Sequence, residues 1–263
     1  MFNDSIPVVM YHHVMPEIKE LNVPPQIFEE QILALKRAGW KTLNSEEFLY
    51  LIKNPKESRK KCVLLTFDDG FLDSYFYAYP ILKKHKMKAV LFVATEFITD
   101  LDVKRDRFKI ISHEEMRRII YTEGKQEVMC SWSELREMEA EGVFNIESHG
   151  HSHKTLYFIK AKDYESLKRD LELSKILIHK YLNRIPQHLA WPKGVYDEVS
   201  IKIANSLGFV ALYTTERGSN TGDLNRIKRL PVKCKGSDWL LPKLKIYSSS
   251  FLSKIYLKIR KQW

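Results

Sequence analysis

The run Cys62-Val63-Leu64-Leu65-Thr66-Phe67-Asp68-Asp69-Gly70 carries the reading of the fold. Six apolar or β-branched residues in a row, Cys62 to Phe67, read as a strand. The chain then switches at once to two carboxylates and a glycine. Outward from this segment, similar short runs recur at 6–11, 88–94, 143–148, 187–191, 209–214 and 227–232. Helical patterns fill the gaps at 27–38 (stopped by Gly39), 46–53, 80–86, 133–141, 163–182 and 195–207 (stopped by Gly208). Ser131 and Glu134 form a capping-box signature, and Leu167, Leu171, Ser174, Ile178 and Tyr181 make one buried stripe. Strand and helix alternating about seven times predict an α/β fold on a parallel sheet, either open or closed into a barrel. Such folds place chemistry at the C-terminal ends of strands, so the polar residues after each run should meet at one mouth.

The chain has 263 residues, 44% hydrophobic and 12% aromatic, enough for a substantial core and against disorder as the main state. No run reaches the roughly 18 apolar residues of a membrane span, and the first residues lack the basic region of a signal peptide. Cys62, Cys130 and Cys234 are scattered, without a CxxC pair, which makes a reducing, cytoplasmic compartment the default expectation. The net charge of +10 is uneven. From Lys228 to Trp263 ten basic residues face the single acid Asp238, a net +9 that leaves +1 for everything before it. With a near-neutral body and no recognition motif, nucleic acid is not an expected partner. No repeat, linker or composition break divides residues 1–240, which are read as one domain, with 241–263 as a basic tail.

Two adjacent carboxylates at the end of an apolar strand are costly unless something positive holds them. In an extended segment neighbouring side chains point apart, so Asp68 and Asp69 should do different jobs; a solvated Asp-Asp-Gly turn is the plain alternative. After the 143–148 run comes His149-Gly150-His151-Ser152-His153. Histidines four apart on a tight loop have the spacing of two imidazole ligands to zinc, while His151 leaves an i, i+2 pair open. One Asp and two His would complete a donor set with positions left for water and substrate.

These motifs resemble the polysaccharide deacetylases with a NodB homology domain, carbohydrate esterase family 4. Thr66-Phe67-Asp68-Asp69-Gly70 matches that family's first motif, and the resemblance makes Asp68 the general base and Asp69 a metal ligand. The His-x-x-x-His motif at 149–153 supplies His149 and His153 as the other ligands. Ala190-Trp191-Pro192-Lys193-Gly194 stands for the third motif, with Ala190 in place of the usual arginine that pairs with the base; Trp191, Pro192, Lys193 and Gly194 become expected substrate contacts. The late histidine that supplies the general acid in most relatives has no counterpart, since none follows His188. A subgroup that includes poly-N-acetylglucosamine deacetylases opens instead on a strand ending in Tyr-His, as Val8-Val9-Met10-Tyr11-His12-His13 does here. In a closed barrel the first strand can take the place of the last, so His12 becomes the expected acid and His13 a rim or structural residue.

The resemblance implies a distorted (β/α) barrel of about seven parallel strands and one divalent metal ion, with zinc expected. Zinc lowers the pKa of a bound water from 15.7 to about 7, the activation that amide hydrolysis at neutral pH needs. The implied reaction is removal of an N-acyl, chiefly N-acetyl, group from an amino sugar in a cell-surface polysaccharide or its lipid-linked precursor. Rival readings are a catalytically degenerate fold that only binds carbohydrate, suggested by Ala190, and an O-acetyl esterase that shares every named group. With no arginine at 190 the base is expected to be loosely held and its pKa less depressed. In the tail, Phe251, Leu252, Ile255, Tyr256 and Ile259 fall at helical spacing with Lys254, Lys258 and Lys261 opposite and Trp263 at the end. This is a basic amphipathic helix that either lies on an anionic membrane surface or packs on the barrel.

Overall fold

The computed structural model describes every residue except 1, 2, 17–20, 58, 101–104, 106 and 261–263. Ten strands occur among the described residues: β1 Val8–Tyr11, β2 His13–Val14, β3 Asn22–Val23, β4 Lys41–Leu43, β5 Cys62–Phe67, β6 Ala89–Val93, β7 Phe144–Ser148, β8 His188–Ala190, β9 Ala211–Tyr213 and β10 Leu230–Pro231. Seven of them form a parallel sheet in the order β10-β1-β5-β6-β7-β8-β9, with β4 paired to the first half of β5. A parallel bridge between Tyr213 and Ile227 brings the segment leading into β10 back to β9 and closes the ring. The barrel is distorted because its last three strands have only two or three residues each.

Alternate residues along the strands separate into two layers, as a period of two requires. Val8, Leu64, Val90, Phe92, Ala190, Ala211 and Tyr213 pack together with Phe48 and Ile52 of the helix Ser45–Lys53. Val9, Tyr11, Leu65, Phe67, Leu91, Val93 and Ile146 join the large cluster shared with the surrounding helices. Each fully buried side chain of this kind contributes on the order of 1.5–3 kcal/mol. The helices begin where caps allow. Asn44 and Glu47 form a reciprocal box at Ser45–Lys53, and Ser131 and Glu134 form the expected one at Trp132–Ala140. In the helix Tyr164–Leu182, Leu167, Leu171, Ser174 and Ile178 are buried as the stripe predicts, while Tyr181, its last member, is half-buried and stacks on Trp132.

Three helices escaped the sequence reading. His113–Ile119 and Thr155–Ala161 each bury a single residue, so neither shows a periodic stripe. Ser237–Tyr247 carries Pro242 in its interior, a breaker by composition, yet Leu240, Leu244 and Tyr247 are buried and the helix packs on Pro25–Arg37. The 240/241 boundary therefore falls inside an element of the barrel wall. The helix Ser250–Arg260 lies against it through Tyr256, which meets Tyr247 edge-on and receives Lys243 4.2 Å above its ring. Phe251, Leu252, Ile255 and Ile259 remain exposed, Phe251 by 58%; Lys261 and Trp263 lie outside the described residues.

Candidate active site

The register of the first two ring strands sets the site. Tyr11 of β1 lies opposite Phe67 of β5, and the Asp68 backbone N–H donates to the Tyr11 carbonyl at 3.2 Å. His12 and Asp68 thus leave adjacent strands side by side. Asp68 is buried and receives both arms of the Arg229 guanidinium, at 2.7 and 2.9 Å. Arg229 is itself 0% exposed; its Nε donates to the Thr214 carbonyl at 2.8 Å, and its charged end lies over the Phe92 ring. Burial pushes the Asp68 carboxyl up, but Arg229 and His149 outweigh it and hold the pKa below the usual range.

Asp69 turns away from its neighbour by adopting φ +76°. Its Oδ1 stands 3.4 Å from Nε2 of both His149 and His153, and the three donor atoms lie within 4.8 Å of one another. The histidine loop is shaped for this. Asp170 accepts the backbone N–H groups of His151 and Ser152 at 2.8 and 2.9 Å, and a Cβ on Gly150 would come within 2.9 Å of that carboxylate. His151 points elsewhere, with Nδ1 bonded to the Thr95 hydroxyl at 2.9 Å, and His149 and His153 are the two imidazoles grouped with Asp69. His149 Nδ1 is 2.8 Å from the Ala190 carbonyl, which can only accept, so Nδ1 carries the proton and Nε2 is left as a lone pair. Two imidazole nitrogens and one carboxylate oxygen are a fitting donor set for a divalent cation. Burial lowers His149, yet the Asp69 and Asp68 carboxylates raise it further, showing the negative field at that point. Burial holds His153 to about 4 and also lowers His12.

The polysaccharide deacetylase family model matches residues 55–212, more than half of the chain. This chain belongs to the polysaccharide deacetylases. It is similar to the Bacillus subtilis protein YxkH, 30% identical over 232 residues that cover 86% of this chain and 72% of that protein. It is 27% identical over 241 residues to a Staphylococcus aureus protein named poly-beta-1,6-N-acetyl-D-glucosamine N-deacetylase, covering 89% of this chain and 71% of the other. The fold is shared with the Streptococcus pyogenes deacetylase PplD (TM-score 0.75, 24% identity, 91% and 98% of the two chains). It is shared equally with IcaB from Ammonifex degensii (TM-score 0.74, 23% identity, 93% and 97%). His12 and Arg229 both lie outside the span matched by the family model, one before it and one after.

An arginine does hold Asp68, from position 229 rather than from the position 190 that the resemblance implied. Ala190 turns its methyl into the barrel interior and gives its carbonyl to His149, while Arg229 reaches Asp68 from the segment leading into β10. The expectation of a loosely held base is therefore corrected. Sequence reading missed Arg229 because it counted that residue only among the ten basic residues from Lys228 to Trp263; an arginine set directly before the apolar Leu230-Pro231-Val232 was the available signal.

Trp191 is a second correction. Its ring is 0% exposed, packed with Leu167, Leu171 and Ile201 and stacked toward Tyr196, and has no face free for a sugar. Pro192 is also buried, and Gly194 presses on Thr215, where any Cβ would stand 2.2 Å from the hydroxyl. Of the four expected contacts only Lys193 lines the cleft, a space of about 170 Å³ that also takes in His12, Asp68, Asp69, His149 and His153. Phe97, His113, Arg117, Ile120, Tyr121 and Met129 line the same cleft, from the long segment between β6 and β7 that the sequence reading left without a role.

Proposed function

We propose that the protein is a metal-dependent hydrolase that removes the N-acetyl group from an amino sugar of a cell-surface polysaccharide or its lipid-linked precursor. The observation that carries this is the gathering of an ionised, arginine-held Asp68, a two-His-one-Asp donor set and His12 around one cleft. When bound by Asp69, His149 and His153, a divalent cation, zinc for this mixed nitrogen and oxygen set, supplies Lewis-acid activation of water and of the acyl carbonyl. Asp68 accepts the proton of the attacking water, and Arg229 keeps it ionised for that task. His12 delivers a proton to the departing amine as the C–N bond breaks, releasing acetate and the free amino sugar. The bidentate hold on Asp68 supports catalysis over a binding-only role, and the name of the Staphylococcus aureus relative supports an N-acetylglucosamine polymer. Metal analysis of the purified protein, with acetate release measured on N-acetylated glycans, lipid-linked sugars and O-acetylated controls, tests the reading. One equivalent of metal with release from the amides supports it; release from the esters alone overturns it.

The exposed Phe251, Leu252, Ile255 and Ile259 beside Lys254 and Lys258 support a peripheral contact of the tail with an anionic membrane. Among the described residues no helix is long and apolar enough to cross one. Deleting 251–263 is expected to weaken sedimentation with anionic vesicles, and unchanged sedimentation removes this reading.

A further inference from the structure

A line of three side chains outside the catalytic set runs into the cleft. Asp73 and His13 are both 0% exposed. Asp73 Oδ2 accepts the Val14 backbone N–H at 2.7 Å, and its Oδ1 stands 3.1 Å from His13 Nδ1. His13 Nε2 is 2.8 Å from Nδ1 of His113, and His113 lines the cleft with its remaining ring edge. The Phe71 ring lies 4.5 Å from the His13 ring and keeps the line dry.

Counting protons along this line fixes its polarity. A carboxylate only accepts, so His13 Nδ1 carries a hydrogen, and a ring with that single hydrogen has a bare Nε2. His113 Nδ1 must then donate to it. What His113 turns to the cleft is an unprotonated Nε2, a pure acceptor with no hydrogen-bond partner among the described residues. One more proton on the histidine pair would reverse the result and present an N–H. Burial holds His113 to about 4, with His13, His12 and Arg117 opposing the added charge and the Asp69 carboxylate alone favouring it.

We propose that His113 is a substrate-orienting residue whose Nε2 accepts a hydrogen bond from a hydroxyl of the amino sugar, with Asp73 and His13 as positioning residues that fix its tautomer. This rests on the amino-sugar reading above. The hydroxyl is the fitting donor because sugar rings present several, and because Ile120 and Met129, which line the same cleft, offer no competing polar group.

The test uses the full-length protein with N-acetylglucosamine oligomers and their deoxy and deoxyfluoro analogues. His113→Asn puts an amide near the Nδ1 position and leaves nothing at Nε2; His113→Gln reaches the Nε2 position. Expected for His113→Asn is a KM raised about 10-fold with kcat changed far less, and His113→Gln recovers most of the loss. One deoxyfluoro analogue should lose the same factor on the unaltered protein and none on His113→Asn. The same contrast should appear in oligomer Kd on the turnover-deficient Asp68→Asn background. Nitrogen-15 spectra of the free protein should show His113 protonated at Nδ1 and bare at Nε2. A fall in kcat with KM unchanged, an Nε2-protonated ring, or equal Kd for His113→Asn and its parent overturns the proposal. Absent acetate release from every oligomer by the unaltered protein breaks the function reading instead, and absent oligomer binding breaks both.

Discussion

The two sides of the cleft are built by different means. On the strand-end side each charged group is fixed by something that cannot easily move: Asp68 by a buried guanidinium, His149 by a strand carbonyl, the ligand loop by Asp170. The side formed between β6 and β7 is mostly apolar and aromatic, with Tyr121 64% exposed and set edge-on to Phe97 at 5.4 Å. Strand ends hold reacting groups to the tolerance that proton transfer demands, whereas ring and side-chain contacts shape a surface at lower cost in rigidity. On the proposed function, chemistry and substrate choice fall to separate parts of the chain, and changes on one side should leave the other intact.

The sharpest way to break that division is at the reacting groups. Asp68→Asn and His12→Ala should each lower kcat by about 100 to 10,000-fold while metal content, measured on the purified protein, stays at one equivalent. Metal loss in Asp68→Asn equal to that in Asp69→Asn would merge two roles held apart here. Next is Arg229→Leu, which strands a buried carboxylate and should cost about 3–5 kcal/mol in denaturant unfolding. The sign follows from the depressed Asp68 pKa: the pair's stabilisation is present above the unfolded carboxylate pKa and is lost as pH falls through the lower folded value. In the variant the Asp68 pKa rises, so the acidic limb of the pH–rate profile moves to higher pH. A limb that stays put would show that Asp68 is not the group titrating there. Trp191→Phe should cost roughly 1–3 kcal/mol of stability with KM unchanged, and a raised KM would restore the ring to the substrate. The smallest effect belongs to the other side: Tyr121→Ala should raise KM a few-fold, with kcat within about two-fold and stability within about 0.5 kcal/mol.

The same division governs what could be read from the sequence. Strand ends advertise themselves, because an apolar run broken by Asp-Asp-Gly or His-x-x-x-His is a local signal, and the resemblance built on it carried the barrel and the expectation that His149 and His153 act as a pair. His12 was set apart from His13 by the resemblance to the Tyr-His subgroup, and the structure sends the two side chains to different places, His12 to the cleft and His13 to Asp73. For Arg229 only its place in an apolar run was legible, since its partner lies far away and its own neighbourhood is basic. His113 was hidden in a short helix that buries one residue, and its role depends on a bond to His13 that no spacing encodes. Trp191 misled because a tryptophan beside a motif glycine reads alike whether it packs inward or outward.

The pairing of Asp68 with Arg229 spans 161 residues. On a ribosome adding about 5–20 residues each second, roughly 8–30 s pass between the appearance of the carboxylate and that of its counter-ion. Until then β5 can be buried only by burying an uncompensated charge or by protonating it, and β1 lacks its β10 neighbour. The nascent chain therefore has reason to keep its first strands open, and ring closure becomes a late event that depends on the C-terminal quarter. A ribosome-bound chain halted before Arg229 should stay sensitive to protease across 62–70, and one extended past 232 should not.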